Sequence, residues 1–268
     1  MTTQPASGGV QSVERVFDLL EVITASGGEM SLSELSAAAG LPLPTIHRLL
    51  RTLVPAGYVR QLPNRSYALG PRLILLGEAA GRQFGSSART ELDELVAETG
   101  ESANMAVLDG REVVYIAQAQ SSRSMRMFTE VGRRADTHDT GVGKAMLATL
   151  PDAKVRAIVA AARMETPTPR SLATLEELFA DLERIRARGY AIDDEEQELG
   201  VRCYAMAVPG APTPTAISVS GPVSRVDEEF GRRAVPVLRR AATAIAADLT
   251  PAPERRSARI PEPVPKPV

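Results

Sequence analysis

The chain has 268 residues, 44% hydrophobic and 24% charged, with a formal net charge of −2. That length predicts about two domains and a soluble globular composition, since no apolar run reaches the roughly 18 residues of a membrane span. The N-terminal MTTQPASGGVQSVE has neither the basic nor the apolar region of a secretory signal, and the single Cys203 allows no intrachain disulfide, so the cytoplasm is the expected compartment and no membrane partner is expected.

Taken in order, residues 1–11 are small and polar and are expected to be disordered. Val13, Val16, Phe17, Leu20 and Ile23 recur at helical spacing and predict a first helix over Ser12 to Ala25, stopped by Ser26-Gly27-Gly28. A second helix opens at Ser33-Glu34, with Ser33 or Ser31 as its N-cap. Gly40 makes the turn. Pro42 and Pro44 follow, so Leu43 is expected to be extended and a third helix to begin near Pro44. Leu35, Ala39, Ile46, Leu49, Leu50 and Leu53 form one apolar face, while Thr45, His47, Arg48, Arg51 and Thr52 fall off it. This is a helix-turn-helix pattern, whose second helix enters the DNA major groove. Tyr58–Gln61 and Ser66–Leu69 read as strands about a turn, a wing with Arg65 at its tip. Net charge gives no global nucleic-acid signature. Locally, however, no acid lies between Glu34 and Glu78, whereas Arg48, Arg51, Arg60, Arg65 and Arg72 all do. The candidate DNA-contacting residues are Ser33, Thr45, His47, Arg48, Arg51 and Arg65. An apolar helical stretch about Leu73–Ala80 is expected to pack on the same helix of a second subunit.

The second half starts with a helix over Ser87 to Glu98, then a hairpin, Ala103–Leu108 and Glu112–Ala119, around Asp109-Gly110. A strand is expected at Ser124–Thr129, helices at Gly141–Leu150 and Asp152–Ala162, and an amphipathic helix through Leu175, Leu178, Phe179, Leu182 and Ile185 ending near Gly189. Strands at Tyr190–Asp193, Val201–Val208 and Thr215–Ser220 precede a last helix, Ser224 to Leu249. The class is α+β, with a sensor-type second domain. Residues 251–268 hold six prolines and are expected to be a disordered tail.

Gly141-Val142-Gly143-Lys144 is not a phosphate-binding P-loop: His138 and Ala145 occupy positions that need Gly and Ser or Thr. It reads as a helix start whose N–H groups can hold a small anion such as a carboxylate. The acidic run from Asp193 to Glu198 reads as a solvated loop rather than a divalent-metal site. Cys203, His138 and Asp193 match no nucleophilic motif, and Cys203 in an apolar strand pattern reads as inert. Ser218 and Ser220 alternate with Ile217 and Val219, so they share a face and either donate to a ligand or meet solvent. No cofactor, bound metal or catalysis is expected.

These residues resemble the IclR family of bacterial transcriptional regulators over about residues 12 to 249. The match runs through SLSELSAAAGLPLPTIHRLLRTLVPAGYV and YALGPRLILLG, then THDTGVGKAML, RGYAIDDEEQELGVRCYAMAV and AISVSGPVSRV. The resemblance implies a winged helix-turn-helix (12–70), a linker helix (71–86) and a GAF-like effector-binding domain (87–250). It also implies a homodimer or dimer of dimers on palindromic double-stranded operator DNA, and a small organic or aromatic acid as effector. Family members contact the effector through positions matching Gly141, Val142, Gly143, Asp193, Cys203, Ser218 and Ser220, with apolar walls near Met127, Ala135 and Val201. Leu43 and Pro44 stand where the family often has a basic residue and a serine, so one phosphate or cap contact of the family is not expected here and the operator preference is left open. The expectation is a ligand-responsive regulator of a metabolic operon. The alternative is a small-molecule sensor or enzyme whose N-terminal module binds protein.

Overall fold

The computed structural model describes residues 9–82, 88–126, 129–162 and 164–249. Of the segments expected to be disordered, 1–11 and 251–268, residues 1–8 and 251–268 lie outside them, as do linker residues 83–86 and Met127, while Gln11 already belongs to the first helix. The chain divides into two compact units, within Met1–Ala80 and Gly81–Val268.

In the first unit, α1 (Gln11–Ala25), α2 (Leu32–Ala39) and α3 (Leu43–Leu53) close on a core of Leu19, Ile23, Leu35, Ile46, Leu49, Leu50, Leu53 and Val59. A capping box starts α2. The Ser31 hydroxyl accepts from the Glu34 N–H, and the Glu34 carboxylate accepts from the Ser31 N–H. Gly40 ends it at φ 63, the left-handed conformation that a tight turn between helices needs. Leu43 is helical, not extended. Pro42 takes the extended N-cap conformation (φ −59, ψ 142), so α3 starts one residue earlier. Pro44 then sits in the first turn, where its missing N–H has no intrahelical partner to lose. Burial of Ile46, Leu49, Leu50 and Leu53 outweighs the bias that a proline places on its predecessor.

The wing is a three-stranded antiparallel sheet in the order β1 (Glu29–Met30), β3 (Tyr67–Leu69), β2 (Val59–Gln61). At two residues, β1 is too short to show a period. After the wing, α4 (Arg72–Arg82) leaves Ile74, Leu75 and Leu76 exposed by 62%, 67% and 52%.

The second unit is built on a six-stranded antiparallel sheet ordered β6-β5-β4-β9-β8-β7: β4 Ser102–Asp109, β5 Glu112–Ala119, β6 Arg134–Asp136, β7 Ala191–Asp194, β8 Val201–Ala207 and β9 Thr215–Pro222. One face packs on α5 (Ala88–Thr99) and α9 (Glu228–Leu249) through Ala103, Met105, Tyr204, Met206, Ile217 and Val219. The other packs on α6 (Gly141–Ala148), α7 (Asp152–Ala161) and α8 (Leu175–Arg188) through Ala106, Val113, Tyr115, Cys203, Ala205 and Ala216.

Two expectations are corrected in this unit. The described residues of 124–129 form no strand, and residues 127–128 of that stretch lie outside the described residues. Arg126 donates to the Arg123 carbonyl and Arg225 to that of Met125. The edge belongs instead to β6, paired with Glu112–Val114. The last helix begins at Glu228 rather than Ser224, since Val226 is buried in a turn and the Asp227 carboxylate caps the Phe230 N–H at 2.8 Å.

Candidate functional site

The apolar stripe of α3 faces the core, which leaves His47, Arg48 and Arg51 exposed and Thr45 half-buried. Ser33 is exposed on the first turn of α2, its hydroxyl 3.1 Å from that of Ser31. Arg65 is exposed at the wing tip. The Arg65 N–H bonds the Leu62 carbonyl at 2.9 Å, and Arg65 itself adopts φ 66, a left-handed conformation that costs a residue with a Cβ about 1–2 kcal/mol. The structure also brings Gln61 and Tyr67 beside His47 and Arg51. Arg72 is used internally: it stacks 5.5 Å from the Tyr58 ring and donates to the Ala56 carbonyl.

The second group of predicted residues meets on the α6-covered face of the large sheet. Cys203 is paired with Asp193 on β7 and Ser220 on β9, and Ser218 with Ala205 on β8 and Asn104 on β4. Strand alternation turns Val201, Cys203, Ser218 and Ser220 toward α6. Ser218 and Ser220 are buried, so they are not a solvent-facing pair. The N-terminus of α6 sits directly on this set: a Cβ on Gly141 would lie 2.9 Å from Cys203 Sγ and 3.3 Å from Ala205 Cβ. A Cβ on Gly143 would collide with the Thr137 carbonyl, so Gly143 is required by packing. Thr140 caps α6 by accepting the Gly143 N–H at 3.1 Å. Ala135 lies on the same face but on β6, separated from β9 by β5 and β4.

The acidic run is solvated only in part, since two of its acids turn inward. Asp193 and Glu196 are 4% and 7% exposed. Glu196 and Asp181 both receive hydrogen bonds from Lys144, which is itself fully buried. These two acids shift in opposite directions. Burial raises Glu196 against the pull of Lys144. Burial also pushes Asp181 up, but Lys144 and its hydrogen bond, with a second cation in Arg184, bring it below the usual range. Asp193 accepts from the Glu196 N–H at 2.8 Å, yet burial pushes its carboxyl up to about 7. Burial and then the Asp193 charge push the Cys203 thiol up to about 12, so it is neutral and unreactive at physiological pH. Asp139, 4% exposed, is raised to about 7, first by burial and then by Asp136, and its Oδ1 has no hydrogen-bond partner among the described residues.

Sequence reading missed Asn104, Gln118, Asp139, Lys144 and Glu196. Gln118 reaches the α6 face only because a bulge at Met105/Ala106 shifts the β4–β5 register; its amide donates to Asn104 Oδ1 at 3.1 Å. Lys144 carried a readable signal, a charge inside the apolar run Val142–Leu147. Among the described residues, no group of three His, Cys, Asp or Glu side chains is placed to hold a metal ion.

Two families of known domains match the chain. The bacterial transcriptional regulator IclR C-terminal domain matches residues 81–247, and the IclR helix-turn-helix domain matches residues 12–63. The chain is 38% identical over 246 residues to the transcriptional repressor IclR of Escherichia coli K12, covering 86% of this chain and 88% of that protein. It superposes on the crystal structure of Thermotoga maritima IclR with a TM-score of 0.74 at 27% identity, covering 89% and 98% of the two chains. A TM-score of 0.77 at 24% identity, covering 89% and 98%, relates its fold to an IclR homologue from Microbacterium hydrocarbonoxydans crystallised with 4-hydroxybenzoate.

Proposed function

The chain belongs to the IclR family of bacterial transcriptional regulators, and from that premise we propose how it reads DNA and senses a metabolite. It is a DNA-binding transcriptional regulator, not an enzyme; a sensor or enzyme with a protein-binding N-terminal module is not favoured. The observation that carries the finer reading is the outer face of α3, where Arg48 stands exposed beside Thr45 while Ile46, Leu49 and Leu50 hold the helix to the core. Thr45 and Arg48 address base edges, and Ser33, His47, Arg51 and Arg65 address the backbone. The exposed Ile74, Leu75 and Leu76 of α4 support a dimer joined through this helix, which would space two recognition helices about 34 Å apart on a palindromic operator. As a DNA-bound regulator in a bacterium, the protein works in the cytoplasm.

The effector site is proposed at Gly141–Gly143, Asp193, Cys203, Ser218 and Ser220, with Val201 and Ala135 as apolar walls and Met127 outside the described residues. The support is the convergence of buried hydroxyls, a neutral thiol and a helix N-terminus, a set of donors suited to a small carboxylate. An aromatic or aliphatic acid is the proposed class, in keeping with the Microbacterium homologue, which was crystallised in complex with 4-hydroxybenzoate. A thermal-shift screen of such acids tests it. An acid that stabilises the wild type should lose its effect in Ser218→Ala while the variant's unliganded melting point and DNA affinity stay unchanged. An undiminished shift in Ser218→Ala would place the ligand elsewhere.

A further inference from the structure

Between α3 and the wing, the surface closes into a cleft of about 390 Å³. It is lined by the apolar Leu50, Val54 and Pro55 and by a polar set, His47 and Arg51 from α3 and Gln61 and Tyr67 from the hairpin. Gln61 and Tyr67 are direct partners across β2 and β3, so a strand register fixes their spacing. Gln61 Nε2 lies 3.2 Å from the Tyr67 hydroxyl and 3.5 Å from the Arg65 carbonyl. A carbonyl only accepts, so nitrogen is the amide atom on that side. The tyrosine oxygen therefore receives a hydrogen and keeps its own to donate. The lining thus presents a guanidinium, an imidazole and a phenol hydroxyl, and no carboxylate. The cleft falls within the stretch between Glu34 and Glu78 that contains no acid at all.

A donor-rich, carboxylate-free cleft fits an anion. Arg48 and Thr45 lie on the same short helix, so the anion available here when α3 enters a groove is the DNA backbone. We propose that this cleft is a seat for a DNA phosphodiester, gripped by Arg51 and His47 from α3 and by the Tyr67 hydroxyl from the wing, which Gln61 orients by donating to it. The proposal rests on the DNA-binding reading above and deepens it: Gln61 and Tyr67 join the DNA machinery, and Arg51 positions the helix without reading sequence. Holding the strand from both elements fixes the angle of α3 in the groove, which neither could do alone.

The test uses the full chain and two unrelated 30-base-pair duplexes, titrated by fluorescence anisotropy between 50 and 200 mM salt. Arg51→Gln should make the slope of log affinity against log salt shallower by about one. Tyr67→Phe and Gln61→Ala should leave the slope unchanged and weaken both duplexes equally, about 2- to 10-fold each. Tyr67→Phe keeps the ring that packs on the core, so its melting point should match the wild type. Wild-type affinity in both Tyr67→Phe and Gln61→Ala would overturn the proposal, as would a loss confined to one sequence. Competition by millimolar inorganic phosphate at constant ionic strength would also overturn it, since that marks a small-anion site. If the wild type bound neither duplex at 50 mM salt, the DNA-binding reading itself would fall, and the seat with it.

Discussion

Lys144 Nζ lies 2.6 and 2.7 Å from the two carboxylate oxygens of Glu196, 52 residues away, with the lysine wholly buried. The pair ties the first turns of α6 to the loop after β7, joining two segments proposed to hold the effector. Lys144→Met would strand Glu196 as an uncompensated buried charge, at a cost of about 3–5 kcal/mol. For a chain of this size, that lowers the melting temperature by about 6–20 °C. Adding Glu196→Gln should recover part of the loss. A single mutant that melts like the wild type would show the pair contributes nothing.

Asp139 and Asp193 carry the opposite kind of burden. Both are raised to about 7 by burial, so the folded state holds protons that the unfolded state releases near pH 4. Stability is therefore greatest below the unfolded value and falls as pH rises toward 7, with a slope of at most about 1.4 kcal/mol per pH unit for each group. Chemical denaturation at pH 5, 6, 7 and 8 should show this fall and then a plateau. Asp139→Asn should flatten the curve, because an amide has no proton to lose. A stability that rises from pH 5 to 7 would contradict the assignment.

The same proton bears on the proposed effector site. An anionic acid placed beside Asp193 favours its neutral form, so binding takes up a proton near pH 7. Affinity for a carboxylate effector should fall as pH rises from 6 to 8, by up to about tenfold per unit above the carboxyl's pKa. Calorimetry in two buffers of different ionisation enthalpy should detect the uptake. Asp193→Asn should abolish it, and pH-independent binding by the wild type would place the ligand away from Asp193.

Arg65 trades fold stability against contact. At φ 66 it occupies a conformation glycine adopts freely. Arg65→Gly should raise stability by about 0–1 kcal/mol, net of glycine's greater unfolded entropy. It should also weaken DNA binding and make its salt slope shallower by about one. A glycine variant that binds duplex DNA like the wild type would remove Arg65 from the interface.

The helix-turn-helix was legible because its signals are local. A 3.6-residue apolar period, a capping serine and Gly40 each act within a few positions. The strands β8 and β9 were legible for a related reason, β8 as an apolar run around Cys203 and β9 through Ser218 and Ser220 alternating with Ile217 and Val219. Three features were not. The edge strand β6 spans three residues, too few for any period. Gln118 owes its facing to a bulge, which a single extra residue produces without a compositional mark. The acidic run looked solvated because sequence alone does not show that Lys144 arrives from α6 to neutralise Glu196. Leu43 shows the converse: a local bias was read correctly, and the packing of α3 overrode it.

Every DNA-side proposal rests on the outer face of α3 reading a specific DNA sequence. Selection from a random-sequence duplex pool by the full chain tests it most directly, with Arg48→Ala run in parallel. The wild type should enrich one inverted repeat. Arg48→Ala should lose about 1–3 kcal/mol on that site while keeping its affinity for scrambled DNA. Enrichment of no sequence by the wild type, or of the same sequence at the same affinity by Arg48→Ala, would contradict it.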